Sequence, residues 1–170
     1  MAPLLVAFWT GARPNELAAL RWGDVSASSF RIRAGRSPRG VESTPKTAAS
    51  VRDIDLLPPV VEALRAQKAQ QAAARLKAGL GAPGPGLDYV FTGYHGGPVS
   101  PNRLRAKVWY PTLAKAGLQR RIAYQTRHSF ASNALAAGEA ALVGGGAARP
   151  HHARDALQHV RALHPEPDAA

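Results

Sequence analysis

Thr10-Gly-Ala-Arg-Pro-Asn-Glu-Leu-Ala-Ala-Leu-Arg-Trp-Gly-Asp24 is the stretch on which the reading of this chain turns. Gly11 closes a helix whose tail is the apolar run Leu4 to Trp9, and Pro14 opens a second helix reaching about Leu20, since proline lacks only an N–H that the first turn leaves unpaired anyway. Arg13 is thereby fixed where two helices meet. Leu17, Leu20 and Trp22 read as core or helix packing. A second stretch, Tyr124-Gln-Thr-Arg-His-Ser-Phe-Ala-Ser132, holds Arg127 at the start of a helix spanning about Thr126 to Ala137, with Phe130, Ala134 and Leu135 facing a core and Gly138 ending it.

Between these stretches, Phe30 and Ile32 alternate with Arg31 and Arg33. A second extended segment covers Val41 to Lys46, and Val51, Ile54 and Leu56 mark a third. The pattern predicts a small antiparallel sheet with turns at Gly35, Pro38, Gly40 and Pro45. Pro59 to Lys77 has Val60, Val61 and Leu64 at helical spacing and Gly79 as its stop; its Lys and Arg residues read as a solvated face. Gly81 to Gly86 is a loop, Asp88 to Thr92 a short strand or extended stretch, and Asn102 to Ala116 a helix stopped by Gly117. The expected fold class is mainly α with a small antiparallel β-sheet, α+β.

Lys and Arg outnumber Asp and Glu by 22 to 11 over 170 residues, a net charge of +11 that favours a polyanionic partner. Nucleic acid is the first candidate. A membrane surface is the rival, but Leu4 to Trp9 is too short to span a bilayer or to act as a signal peptide. With no cysteine, the chain has neither disulfides nor thiolate metal sites, which fits a reducing cytoplasm.

The contexts of Arg13 and Arg127 resemble the two arginine boxes of the tyrosine recombinases, the phage-type integrases. Ser43-Thr-Pro-Lys-Thr-Ala-Ala-Ser-Val-Arg52 resembles their hairpin lysine motif, with Lys46 in the lysine slot. The resemblance runs from about Leu4 to Gly138 and implies a partial catalytic core over residues 1–138. It implies that Arg13 and Arg127 stabilise charge on a five-coordinate phosphorus, which guanidinium groups suit because they stay protonated and give paired hydrogen bonds. By the same resemblance, Lys46 is the general acid for the leaving 5′ oxygen and Glu16 orients its neighbours. Tyr124 stands where most members have histidine. It reads equally as a phosphate hydrogen-bonding variant and as a half-buried aromatic with a satisfied hydroxyl; His128 reads as structural. The implied partner is double-stranded DNA, bound as a homo-oligomer or beside an intact integrase, in the bacterial cytoplasm at the nucleoid. The implied chemistry, integration and recombination through a phosphotyrosine intermediate, uses neither metal nor ATP.

No tyrosine follows Tyr124. Where the family has a Leu-Gly-His box and then its nucleophile, this chain has Pro150 and Val160. Residues 139–170 form an atypical segment, with Gly144-Gly-Gly-Ala-Ala-Arg-Pro-His-His152 followed by Ala, Arg, Pro and His. Weak helix near Ala153 to Leu163 is the most it is expected to form. His151, His152, His159 and His164 invite a metal reading, but Gly and Pro deny such a site a rigid surrounding shell. Read from the second base of each codon, the tail permits Trp-Val-Ala-x-Gln-Leu-Gly-His-Thr-Thr-x-Glu-Met-Leu-Phe-Asn-Thr-Tyr, which looks like the family's closing segment. A frameshift near Glu139 to Leu142, natural or from sequencing, is therefore expected, with apolar surface uncovered around Phe130 and Leu135. A start near Met1 also implies that the family's N-terminal DNA-clamping domain is lacking. This copy is expected to be cleavage-deficient; the alternatives are a non-enzymatic DNA-binding fragment and a degraded gene product.

Overall fold

A computed structural model describes residues 2–44, 51–84, 86–93 and 96–136. Lys46, Gly138, the 139–170 segment and its four histidines lie outside them. Helix α1 (Ala2–Thr10) runs through the middle of the core, with Val6 fully buried and Ala7 and Thr10 nearly so. Gly11, at φ +61°, reverses the chain into α2 (Pro14–Ala19), which buries Leu17 and Ala18. A 3₁₀ turn over Trp22–Asp24 leads to the strands.

Strand β1 (Ser29–Ile32) pairs antiparallel with β4 (Arg52–Asp55), Phe30 opposite Ile54 and Ile32 opposite Arg52. Phe30 and Ile32 are buried and Arg31 is exposed, as the alternation requires. The Val41 segment pairs elsewhere. Its described part, β3 (Glu42–Ser43), joins β2 (Gly35–Arg36), so the described strands form two ladders and Gly35 is a strand residue instead of a turn. The reversal is made by Ser37 to Val41, where Ser37 N donates to Val41 O at 2.8 Å and Gly40 takes φ +85°.

Helix α3 (Pro58–Lys77) starts on prolines and lays Val60 and Leu64 into the core. One and two turns further along the same face stand Gln67 and Gln71. Gln71 Nε2 donates to Val90 O at 2.8 Å and Tyr89 O at 3.2 Å, and Gln67 Nε2 to Val90 O at 3.3 Å. Two amides thus satisfy carbonyls of the extended 88–92 stretch, whose Val90 is fully buried.

The Pro101–Lys115 region is three continuous pieces: α4 (Pro101–Leu104), a π turn (Arg105–Trp109) and α5 (Tyr110–Lys115). Pro111 explains the break, because it cannot donate to the carbonyl four residues back and its ring crowds that turn. Trp109 is buried with Leu4 and Leu113 in a small second core. Gly117, at φ +67°, stops the helix. Helix α6 (Gln125–Ala136) crosses α1 and buries Thr126 and Ala134, with Phe130 half-buried between them. Leu135 departs from expectation and is 53% exposed, since it follows Ala134 and so points about 100° around the helix from the buried row. No helix among the described residues is long and apolar enough to cross a membrane.

Candidate phosphate-binding site

Arg13 precedes the first turn of α2 in an extended conformation, φ −70° and ψ 146°. Glu16, three residues on, reaches back so that Oε2 accepts from Arg13 N at 2.8 Å and Oε1 from Arg13 Nη1 at 2.8 Å. The backbone bond is one half of a capping box. Arg52, at the start of β4, donates to the same carboxylate, Nη1 to Oε1 at 3.1 Å and Nη2 to Oε2 at 2.9 Å. Burial pushes the Glu16 pKa up, but the hydrogen bonds from Arg52 and from the Arg13 backbone, with the charge of Arg52, more than reverse this and hold it below the ordinary carboxylate range.

Arg127 reaches the same place from α6. Its Nη1 donates to Gly11 O at 2.7 Å, two residues before Arg13. The contact is possible because Gly11 lacks a side chain: a Cβ there would stand 2.5 Å from Phe130 Cδ1. Tyr124 lies just before α6, where its carbonyl accepts from Arg127 N at 3.1 Å. Its ring meets His128 edge-on, centroids 5.2 Å apart. The Tyr124 side chain also interacts with Arg13; that contact first, and Glu16 second, hold the Arg13 pKa above the ordinary arginine value.

The structure therefore brings together Arg13, Glu16, Tyr124 and Arg127, from the α1–α2 corner and the start of α6. Lys46, the remaining predicted site residue, lies outside the described residues. Arg52 was missed as a member of the cluster. The signal was present, since strand alternation puts Arg52 on the same face as the partly buried Ile54, an inward position for a charged residue that calls for a partner.

Two guanidiniums, Arg13 and Arg52, share one carboxylate and a third, Arg127, is tied to the neighbouring Gly11 carbonyl, leaving excess positive charge at a half-open corner; the Arg13 side chain is 44% exposed. Neither the Arg13–Glu16 bond nor the Arg127–Gly11 bond exhausts the five donors of a guanidinium. The donors left over on two neighbouring guanidiniums make an oxyanion the ligand class this corner suits. Among the described residues no group of three or more His, Asp or Glu could hold a metal ion.

No protein-family model matches the chain. It is 28% identical over 148 residues to a "tyrosine recombinase XerC-like" protein of Caldanaerobacter subterraneus, covering 77% of this chain and 37% of that one. It is 32% identical over 147 residues to the prophage integrase IntR of Escherichia coli K12, covering 78% and 35%. The chain thus spans little more than a third of the length of these curated relatives. Its fold is similar to that of the Tn1549 transposon integrase solved in complex with circular intermediate DNA, with a TM-score of 0.64 at 17% identity, over 94% of this chain and 59% of that one.

Proposed function

We propose, for a chain that is by sequence and fold part of a tyrosine recombinase or phage integrase catalytic domain, that it grips a backbone phosphate of double-stranded DNA between Arg13 and Arg127 and does not cut the strand. The observation that carries this is the convergence of Arg13 and Arg127 on the Gly11 corner, with Arg127 Nη1 bonded to Gly11 O. Two planar cations held at one corner suit the non-bridging oxygens of a phosphodiester. Tyr124, beside Arg13, adds a hydroxyl at the same rim. Lys46 is the proposed proton donor to a leaving oxygen, a role carried over from the family's motif.

Cleavage needs a hydroxyl that attacks phosphorus and becomes esterified to it. Residues 125–170 supply no tyrosine for that step. The relatives named as integrases and recombinases support site-specific recombination as the work of the intact protein, with DNA at the bacterial nucleoid as its proposed partner. For this chain the proposed remnant is phosphate binding, alone or beside an intact copy on DNA. An out-of-frame origin for residues 139–170 belongs to the same proposal and is decided by sequencing the encoding DNA across codons 138–143.

A nicked suicide duplex, which traps covalent protein–DNA adducts, tests the reading. Salt-sensitive binding without an adduct is expected; an adduct formed by this chain alone, or no binding at all, overturns it.

A further inference from the structure

Arg52 and Arg13 divide the Glu16 carboxylate evenly. Oε1 accepts from Arg13 Nη1 and Arg52 Nη1, and Oε2 from Arg13 N and Arg52 Nη2. The two arginines are not equivalent: the Arg52 side chain is 22% exposed and Arg13 44%, with Glu16 between them at 9%. Arg52 therefore approaches the carboxylate from the inner side and Arg13 from the rim. Paired with Arg13 alone, Glu16 would cancel the rim charge and compete with any incoming anion for the same N–H groups. With Arg52 in place, the triad carries one net positive charge.

We infer that Arg52 is a positioning residue which neutralises Glu16 from within and so leaves the charge of Arg13 uncompensated and its guanidinium correctly turned for a phosphodiester oxygen. The inference rests on the reading of Arg13 and Arg127 as a phosphate clasp. It requires no contact between Arg52 and the phosphate. It also makes a demand that scaffolding alone does not: harm from losing Arg52 must be undone by removing the charge that Arg52 cancels.

The test follows the arginine Nε–Hε NMR signals of the full chain during titration with inorganic phosphate. In the unmodified chain the Arg13 and Arg127 signals should shift and saturate together. Arg52→Gln should weaken the apparent affinity about fivefold or more, because the bare carboxylate then draws on Arg13 alone. Arg52→Gln combined with Glu16→Gln should return it to within about twofold of the unmodified chain. Arg52→Lys, which keeps the charge but loses the two-pronged grip, should be weakened by less than about fivefold, and it provides the comparison if Arg52→Gln does not fold.

An unaffected Arg52→Gln variant overturns the inference. So does a double variant as weak as Arg52→Gln, the outcome for a direct phosphate ligand or a purely structural strut, and so does an Arg52→Lys variant weakened about tenfold. If the Arg13 and Arg127 signals of the unmodified chain ignore phosphate, the clasp itself is wrong and the role of Arg52 falls with it.

Discussion

Gly11 combines two requirements that no residue with a Cβ can meet, a φ of +61° and the approach of the Phe130 ring, and it also presents the carbonyl that anchors Arg127. Gly11→Ala is expected to lose about 2–4 kcal/mol of stability by denaturant unfolding, through left-handed strain together with overpacking. An unchanged midpoint would show that the corner is looser than described. Glu16 makes a pH-dependent contribution of definite sign. Its folded pKa lies below the ordinary value, so its stabilisation is fully present above the ordinary carboxylate range and is lost as pH falls through the lower folded value. Glu16→Gln should therefore be less stable than the unmodified chain near neutrality, with the gap closing as pH falls below the ordinary carboxylate range. A gap that widens with acid would contradict the buried ion-paired carboxylate. At this scale the sequence was informative where a motif fixed the neighbourhood, as for Arg13 and Glu16 three residues apart. For Arg52 it offered only an inward strand position, because the partner lies 36 residues away and becomes visible only when β4 is docked.

Among the elements, those closed by local punctuation were legible: α1 by Gly11, α2 by Pro14, and α3 by its prolines and Gly79. The interrupted helix from Pro101 to Lys115 was not, because the apolar spacing of Leu104, Val108 and Leu113 describes a regular helix while Pro111 forbids one. The second ladder was missed for a similar reason, since two-residue strands such as Gly35–Arg36 are too short to show alternation. What holds β2 and β3 against the body is polar. Glu42 accepts from Arg21 Nη2 at 2.9 Å, from Arg36 Nη1 at 2.8 Å and from the Tyr89 hydroxyl, and Arg21 stacks 4.7 Å from the centroid of the Tyr89 ring. The π turn has its own anchor, the Trp109 Nε1 bond to Arg121 O at 2.6 Å, which ties the 117–124 loop and hence Tyr124 to the second core. Trp109→Phe is expected to cost about 1–2 kcal/mol and to speed amide hydrogen exchange over residues 119–124. Unchanged exchange there would mean that the loop is held by other contacts.

Across the described residues, four of the seven acids are held in ion pairs. Glu16, Asp24, Glu42 and Asp53 each pair with one or two arginines, so the excess of base is what DNA would meet. The net charge of +11 was legible at once, and with it a polyanionic partner. What composition could not give was the focus of that charge, which needs the α1–α2 corner and α6 to be packed together. If at least three phosphates are neutralised, log affinity for a duplex should fall against log salt with a slope of about −3 or steeper, and flat binding would rule out an electrostatic footprint. The most direct test of the clasp is a fluorescence anisotropy titration of a nicked duplex with the full chain and with the Arg13→Gln/Arg127→Gln variant. The account predicts binding weakened by about tenfold or more in the variant, with a shallower salt slope. Equal affinity and equal slope for the two proteins would contradict it.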